Sequence, residues 1–364
     1  MSTIAKAHDI KKQRNSNLEL FRIIVMLFII VHHYVVNSGL LETILEKSSY
    51  LWSDYLLVAI SGFGKIGINC FVMITGYFMC TSSISGKKYF KLLFEIMFYK
   101  IAIYAVFYVL GYETLSGGAL LRTFLPFVTL KDGFSECFLV FYLLIPFLNI
   151  LVNNMDRRKH FLLMLLLLCV YSAFSFLPWF EISYNYITWF AVLYIIASFL
   201  RKHPVALLEK KTACGLITLG LFVLCMLSVV ASMYLHMGSN DYSVVYKYVA
   251  DSPKPLAVLF SIFAFSFFKN VNVKQSKFIN TVSATTFGVL LIHSNSDAMR
   301  TWLWGDLLRV NEMYSHSLNL LYVLGCCVAV FIVCSVIDIG RIYLVEAPAI
   351  KLYDKVYNKF KKKA

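Results

Sequence analysis

Charge is scarce in this sequence. Of 364 residues only 15% are Asp, Glu, Lys or Arg, where a soluble domain carries about a quarter. Acidic residues are the scarcest of these, 20 against 34 Lys and Arg. The nine cysteines form no CxxC pair and no Cys/His ligand spacing. Neither a disulfide framework nor a metal site is therefore expected, and the thiols read as small core residues. There is no internal repeat, no stretch that reads as a soluble domain, and no low-complexity segment beyond the closing "NKFKKKA". No small-x-small cleavage site follows the first apolar run, which Arg22 interrupts and His32 and His33 end. That run reads as an uncleaved first helix rather than a signal peptide.

What fills the chain instead is apolar. Hydrophobic residues make up 59% and the mean hydropathy is +0.71. One soluble core cannot hide so many apolar side chains, so the composition implies an all-α integral membrane protein. Apolar stretches suited to spanning fall at 18–37, 56–80, 91–111, 134–153, 161–179, 184–200, 213–235, 255–269, 282–295 and 317–340. These predict about ten transmembrane helices, the eighth and ninth short enough to be tilted or broken.

The basic residues test that count. With the N-terminus inside, 24 Lys and Arg fall in inner segments and 7 in outer ones. The bias predicts an even number of spans with both termini cytoplasmic. The same placement accounts for the net charge of +14 without nucleic acid. The expected organisation is a cytoplasmic segment 1–17, a membrane domain 18–340 and a basic tail 341–364 that anchors to inner-leaflet lipid. The longest loops, near 112–133, 236–254 and 296–316, are expected outside and can cap a cavity. Within the first of them, 120–130 is apolar and suits the membrane interface.

The first helix, "FRIIVMLFIIVHHYV" (21–35), carries an arginine and two histidines. His33 stands eleven positions after Arg22, a rotation about 20° past three turns, so the two share a face roughly 16 Å apart along the axis. His32 is turned about 100° away. Charge within a membrane is costly and tends to face a polar cavity; the bland alternative is an Arg22 that snorkels and a His33 that caps the outer end. Glu19, one turn before Arg22, can pair with it. Lys65 and Asn69 share a face of the second span, suited to phosphate, to an oxyanion, or to a polar contact with another helix. His293 stands near the outer end of its span, either lining a polar site or lying at the interface. Tyr77 and Tyr142 read as packing or belt residues. Glu95 with Lys100, and Asp338 with Arg341, suggest structural pairs.

These segments together resemble the acyltransferase 3 family of bacterial membrane proteins. "RIIVMLFIIVHH" supplies the family's Arg, ten residues, then His, and "NSNLELFR" resembles its approach to that helix. "GKIGINCFVMITGYFM" (64–79) resembles the second-helix pattern, "FYLLIPFLNIL" (141–151) the fourth helix, and "TTFGVLLIHS" (285–294) the late Phe-Gly-x-Tyr-Leu-x-His segment. The matches run the length of the chain in order. Three features depart: Lys87 and Lys88 stand where paired arginines are common, "SEC" (135–137) replaces an aromatic residue, and Leu290 replaces Tyr.

The resemblance implies an O-acyltransferase of the bacterial plasma membrane. It would move an acyl group, in most members acetyl, from cytoplasmic acetyl-CoA to a hydroxyl of a cell-surface polysaccharide or its lipid-linked precursor. His33 maps onto the family's catalytic histidine and Arg22 onto its arginine at the CoA end. Lys87, Lys88, Lys65 and Asn69 would assist CoA binding; His293, Tyr142 and Tyr77 would face the acceptor. Neutral imidazole can take the hydroxyl proton or itself be acylated. The alternative class is a multi-pass transporter or channel, which should show matched halves with Gly- or Pro-broken helices.

Overall fold

The computed structural model describes residues 15–130, 133–174, 185–237, 242–316 and 318–361. Lys6, Lys11, Lys12, Arg14, Lys131, Lys362 and Lys363, and the later part of the expected 161–179 span, lie outside the described residues. The chain is all-helical, 80% helix with no strand among the described residues.

The helices that matter here are α1 (Ser16–Val36), α2 (Trp52–Ser61), α3 (Phe63–Met79), α4 (Gly86–Val109), α5 (Phe134–Asn153), α6 (Arg157–Leu168), α7 (Tyr186–Lys202), α8 (Lys211–Leu235), α9 (Pro255–Asn270), α10 (Lys277–Ala284), α11 (Thr286–His293), α12 (Asn319–Arg341) and α13 (Ala347–Lys361). Among the described residues, six helical stretches are long and apolar enough to cross a membrane. They are α1, Trp52–Met79, α4, α5, α8 and Asn319–Lys361. The protein is a multi-pass membrane protein. Its surface agrees: Leu216, Leu219 and Leu227 of α8 and Leu321, Leu324 and Val336 of α12 are each more than half exposed.

The four other expected spans are shorter helices. α7 has 17 residues and α9 has 16, about 24–26 Å against a hydrocarbon core of about 30 Å. α6 runs 12 residues and then widens into a π-helical turn, Cys169–Ala173. The ninth stretch breaks into α10 and α11 at Thr285. There both the backbone N–H and the hydroxyl of Thr285 turn back to the Val282 carbonyl, a side chain competing with the helical ladder.

α1 is the hub, packing on α2, α3, α9, α10, α11 and α12. Its N-terminus is capped by the Asn15 carboxamide. Glu19 in the first turn accepts from Ser283 of α10 at 2.5 Å and faces Arg22 at 3.6 Å. α1 and α3 run antiparallel in backbone contact: a Cβ on Gly64 would stand 2.1 Å from Cβ of His32. Only glycine permits that approach. The same holds between α11 and α12, where a Cβ on Gly288 would meet the Asp338 carboxylate at 2.2 Å.

Asp338 belongs to a buried ionic knot. Arg341 Nε donates to Asp338 at 2.6 Å, Nη1 to Glu346 at 2.6 Å and Nη2 to Glu95 of α4 at 3.0 Å. Tyr99 adds a hydrogen bond to Asp338, and Lys91 pairs with Glu346. Glu346 reaches Arg341 because the intervening turn, Ile342–Glu346, is π-helical. An α-helix would set residues five apart about 140° away from each other; a π turn brings them closer to alignment. The pair Asp338–Arg341 stands as the sequence suggests. Glu95 and Lys100 do not pair, because they too are five apart on an α-helix. Glu95 goes to Arg341, and Lys100 forms its bridge with Glu136 of α5. All nine thiols are free, eight of them buried.

Candidate active site

A cavity of about 570 Å³ opens between α1, α3, α5, α7 and α11. From α1 it takes Ile29, His32, His33 and Val36, and from α3 Gly64, Lys65, Ile68, Phe71 and Thr75. Phe134, Glu136 and Phe138 of α5, Phe287 and Leu290 of α11, and Tyr186 close it. Its rim is set by the segments after α1 and α11, through Asn37, Asn295 and Arg300. Because α3 runs opposite to α1, the wall from Gly64 to Thr75 descends about 16 Å from the level of His32 toward the Arg22 end. The cavity therefore deepens along α3, while on α1 it reaches only the last two turns.

At the upper end two imidazoles meet. His33 Nδ1 lies 2.9 Å from His293 Nε2, and His293 Nδ1 lies 2.6 Å from the Val289 carbonyl oxygen. The bonding pattern assigns the protons. A carbonyl only accepts, so His293 carries its proton on Nδ1 and offers a lone pair at Nε2. His33 must then donate from Nδ1, which leaves Nε2 as its basic nitrogen. His293 is completely buried behind His33, while His33 borders the cavity. The arrangement holds one histidine in a fixed tautomer with its base available to a reactant.

A family model described as an acyltransferase domain matches residues 15–339. The chain belongs to the acyltransferase 3 family. No curated protein and no solved structure matches it.

The sequence-derived site residues of this acyltransferase separate into three groups. His33, Lys65 and His293 come together: His33 and Lys65 line the cavity, and His293 supports His33 from behind rather than facing an acceptor. Lys65 has no carboxylate within ion-pair distance among the described residues. His32 also borders the cavity, but its Nδ1 is committed to the Ser61 carbonyl at 2.9 Å.

Asn69 is saturated elsewhere. It is completely buried, donates to the Ser252 carbonyl at 2.8 Å and accepts from Trp189 Nε1 at 2.9 Å. One turn of α3 carries it past the cavity wall, so its role is to tie α3 to α7. Tyr77 does not line the cavity. It is 12 residues beyond Lys65 on α3, about 18 Å toward the opposite end, where Arg201 donates to its hydroxyl at 2.9 Å and caps its ring. Tyr142 packs beside Tyr89 and Phe138, one turn below the α5 residues that line the cavity.

Arg22, Lys87 and Lys88 mark the ends of α1 and α4 away from the cavity. Arg22 faces Glu19, Lys87 pairs with Asp354 of α13 at 2.6 Å, and Lys88 donates to the Ser83 carbonyl at 2.8 Å. The pairing of Lys87 is exposed on both sides, the kind that exchanges readily for a stronger anion.

Two charged residues of the cavity, Glu136 and Arg300, were not singled out by sequence, and Lys100 was expected to pair with Glu95 instead. Glu136 and Lys100 form a salt bridge in the wall, and Ser135 also donates to Glu136 at 2.8 Å. Arg300 reaches the rim from the segment after α11. The only sequence signal for Arg300 is its place seven residues after His293, which a loop of unknown path does not convert into proximity.

Proposed function

We propose that this protein is an O-acyltransferase that moves an acetyl group from acetyl-CoA to a hydroxyl of a cell-surface polysaccharide or its lipid-linked precursor. The observation that carries the reading is the His33–His293 pair at the head of a 570 Å³ cavity. A sugar hydroxyl is a poor nucleophile. His33 Nε2 takes its proton as the oxygen attacks the thioester carbonyl carbon. Lys65 beside it offsets the negative charge developing on the carbonyl oxygen. The C–S bond then breaks, and the proton on His33 passes to the departing thiolate. The products are the acyl ester and free CoA thiol. No metal takes part in these steps.

The donor enters from the cytoplasmic side. Support comes from the descent of the cavity along α3 and from Arg22, Lys87 and Lys88 at the far ends of α1 and α4, a cationic margin suited to phosphates. The topology that goes with this reading has ten crossings, both termini in the cytoplasm of a bacterial plasma membrane, and a membrane domain over 18–340 between the short segment 1–17 and the basic tail 341–364. In a variant without the native cysteines, an impermeant thiol reagent added from outside should label cysteines placed at Ser48 and Ser315 and not at Ser83. Labelling at 83 with silence at 48 would invert the topology.

The chemistry is tested by the purified protein itself. Supplied with acetyl-CoA and a saccharide acceptor, it should release CoA thiol at a rate that depends on the acceptor. A protein that holds acetyl-CoA unchanged across neutral and acidic saccharides would exclude acyl transfer.

A further inference from the structure

We infer that the acceptor is an acidic saccharide whose carboxylate or phosphate is held at the cavity rim by Arg300. The inference rests on the acyl-transfer reading and names the substrate class for it. The charged side chains of the wall are Lys65, Lys100, Glu136 and Arg300. Lys100 and Glu136 neutralise each other, and Lys65 is assigned to the reacting carbonyl. Arg300 remains.

Its guanidinium is half committed. Nη1 donates to Asp297, one turn back, at 2.9 Å. The Asp297 side chain is 97% exposed, so water screens the pair and it serves mainly to fix the orientation of the guanidinium. Nε is buried and has no acceptor among the described residues, and Nη2 has none either. Nε and Nη2 together form the side-on fork of an arginine, two parallel N–H groups at the spacing of two oxygens of a carboxylate or phosphate. A buried donor without a partner is costly, and an anion in the fork removes that cost.

The position selects the acceptor over the donor. Arg300 follows α11 on the rim side of the His33–His293 pair, and both imidazoles lie within its electrostatic reach. With the thioester at His33 and the donor phosphates toward the other end of α1, an anion at Arg300 belongs to the molecule that brings the hydroxyl. Phe134 and Tyr186 on the wall supply aromatic faces for its ring.

The test compares three sugars that differ in charge: methyl glucuronide, glucose 1-phosphate and methyl glucoside. Their binding to the detergent-purified full chain is measured by thermophoresis. An anionic sugar should bind at least about tenfold tighter than the glucoside. Arg300→Gln should erase that preference. Arg300→Lys, which keeps the charge and loses the fork, should restore only part of it. A stronger response to the glucuronide identifies a uronic-acid carboxylate as the anion; a stronger response to the phosphate identifies a sugar phosphate of a lipid-linked precursor. Equal binding of all three sugars overturns the inference, as does a preference that survives in Arg300→Gln. Loss of acetyl-CoA binding in that variant with the sugar preference intact also overturns it. The readout is binding, so it is independent of turnover: a wild-type protein that prefers anionic sugars yet releases no CoA would refute the enzymatic reading and leave the anion site in place.

Discussion

Purified His33→Ala should bind acetyl-CoA as the wild type does and transfer its acetyl group about 10²–10⁴-fold more slowly, the range that a positioned general base contributes. The expectation follows from the geometry of one nitrogen. His33 Nδ1 is spent on His293, so Nε2 is the sole base that the residue offers, and alanine removes it without altering the helix. His293→Ala should fall between wild type and His33→Ala, because His33 keeps its base but loses the partner that fixes its tautomer. His32→Gln should cost less than about tenfold, under roughly 1.4 kcal/mol of barrier, since His32 is held by the Ser61 carbonyl. Release of CoA thiol measured at matched expression orders the three. A His33→Ala protein that turns over at a rate near wild type would remove His33 from the chemistry.

Arg341→Met should be the most damaging single change to the fold. It would leave Glu95, Asp338 and Glu346 buried with Lys91 as the remaining cation of the knot. Removing one partner of a buried ionic cluster costs about 3–5 kcal/mol, a fall in melting midpoint on the order of 10 °C. The eight buried thiols provide the readout: a thiol-reactive fluorophore brightens as heating exposes them. Arg341→Lys should fall less, because one ammonium still neutralises part of the cluster while losing the fork that serves three carboxylates. A midpoint for Arg341→Met equal to wild type would mean that the knot contributes nothing to stability.

Much of the architecture was legible in the chain. α1 needed only its apolar length and the approach "NSNLELFR", and its observed bounds differ from the expected ones by two residues or fewer. The shared face of Arg22 and His33 follows from helical rotation alone. What could not be read is what lies between helices distant in sequence. The link from His33 to His293 crosses 260 residues, and that from Glu95 to Arg341 crosses 246. Periodicity reports which face of a helix is polar and says nothing of what it meets. The distance of Tyr77 from the cavity was hidden for the same kind of reason: it depends on the antiparallel course of α3, counted from Lys65. Asn69 shared a face with Lys65 as expected, but its amide is consumed by Ser252 and Trp189, partners that no local pattern announces. A break in the ninth span was among the expectations, but its place was not: the turn of the Thr285 hydroxyl onto the Val282 carbonyl marks it.

The ionic knot also has a history within each molecule. α4 leaves the ribosome long before α12, and 246 residues separate Glu95 from its arginine. At about 5–20 residues per second, α4 waits on the order of 12–50 s in the bilayer before Arg341 is made. During that interval a carboxyl group set within an apolar helix must be sheltered by the translocation machinery or by the helices already assembled around α1. Biogenesis of this protein is therefore completed from its C-terminal end. Chains stopped before Arg341 should be cleared by membrane proteases even though every residue that lines the cavity has already been synthesised.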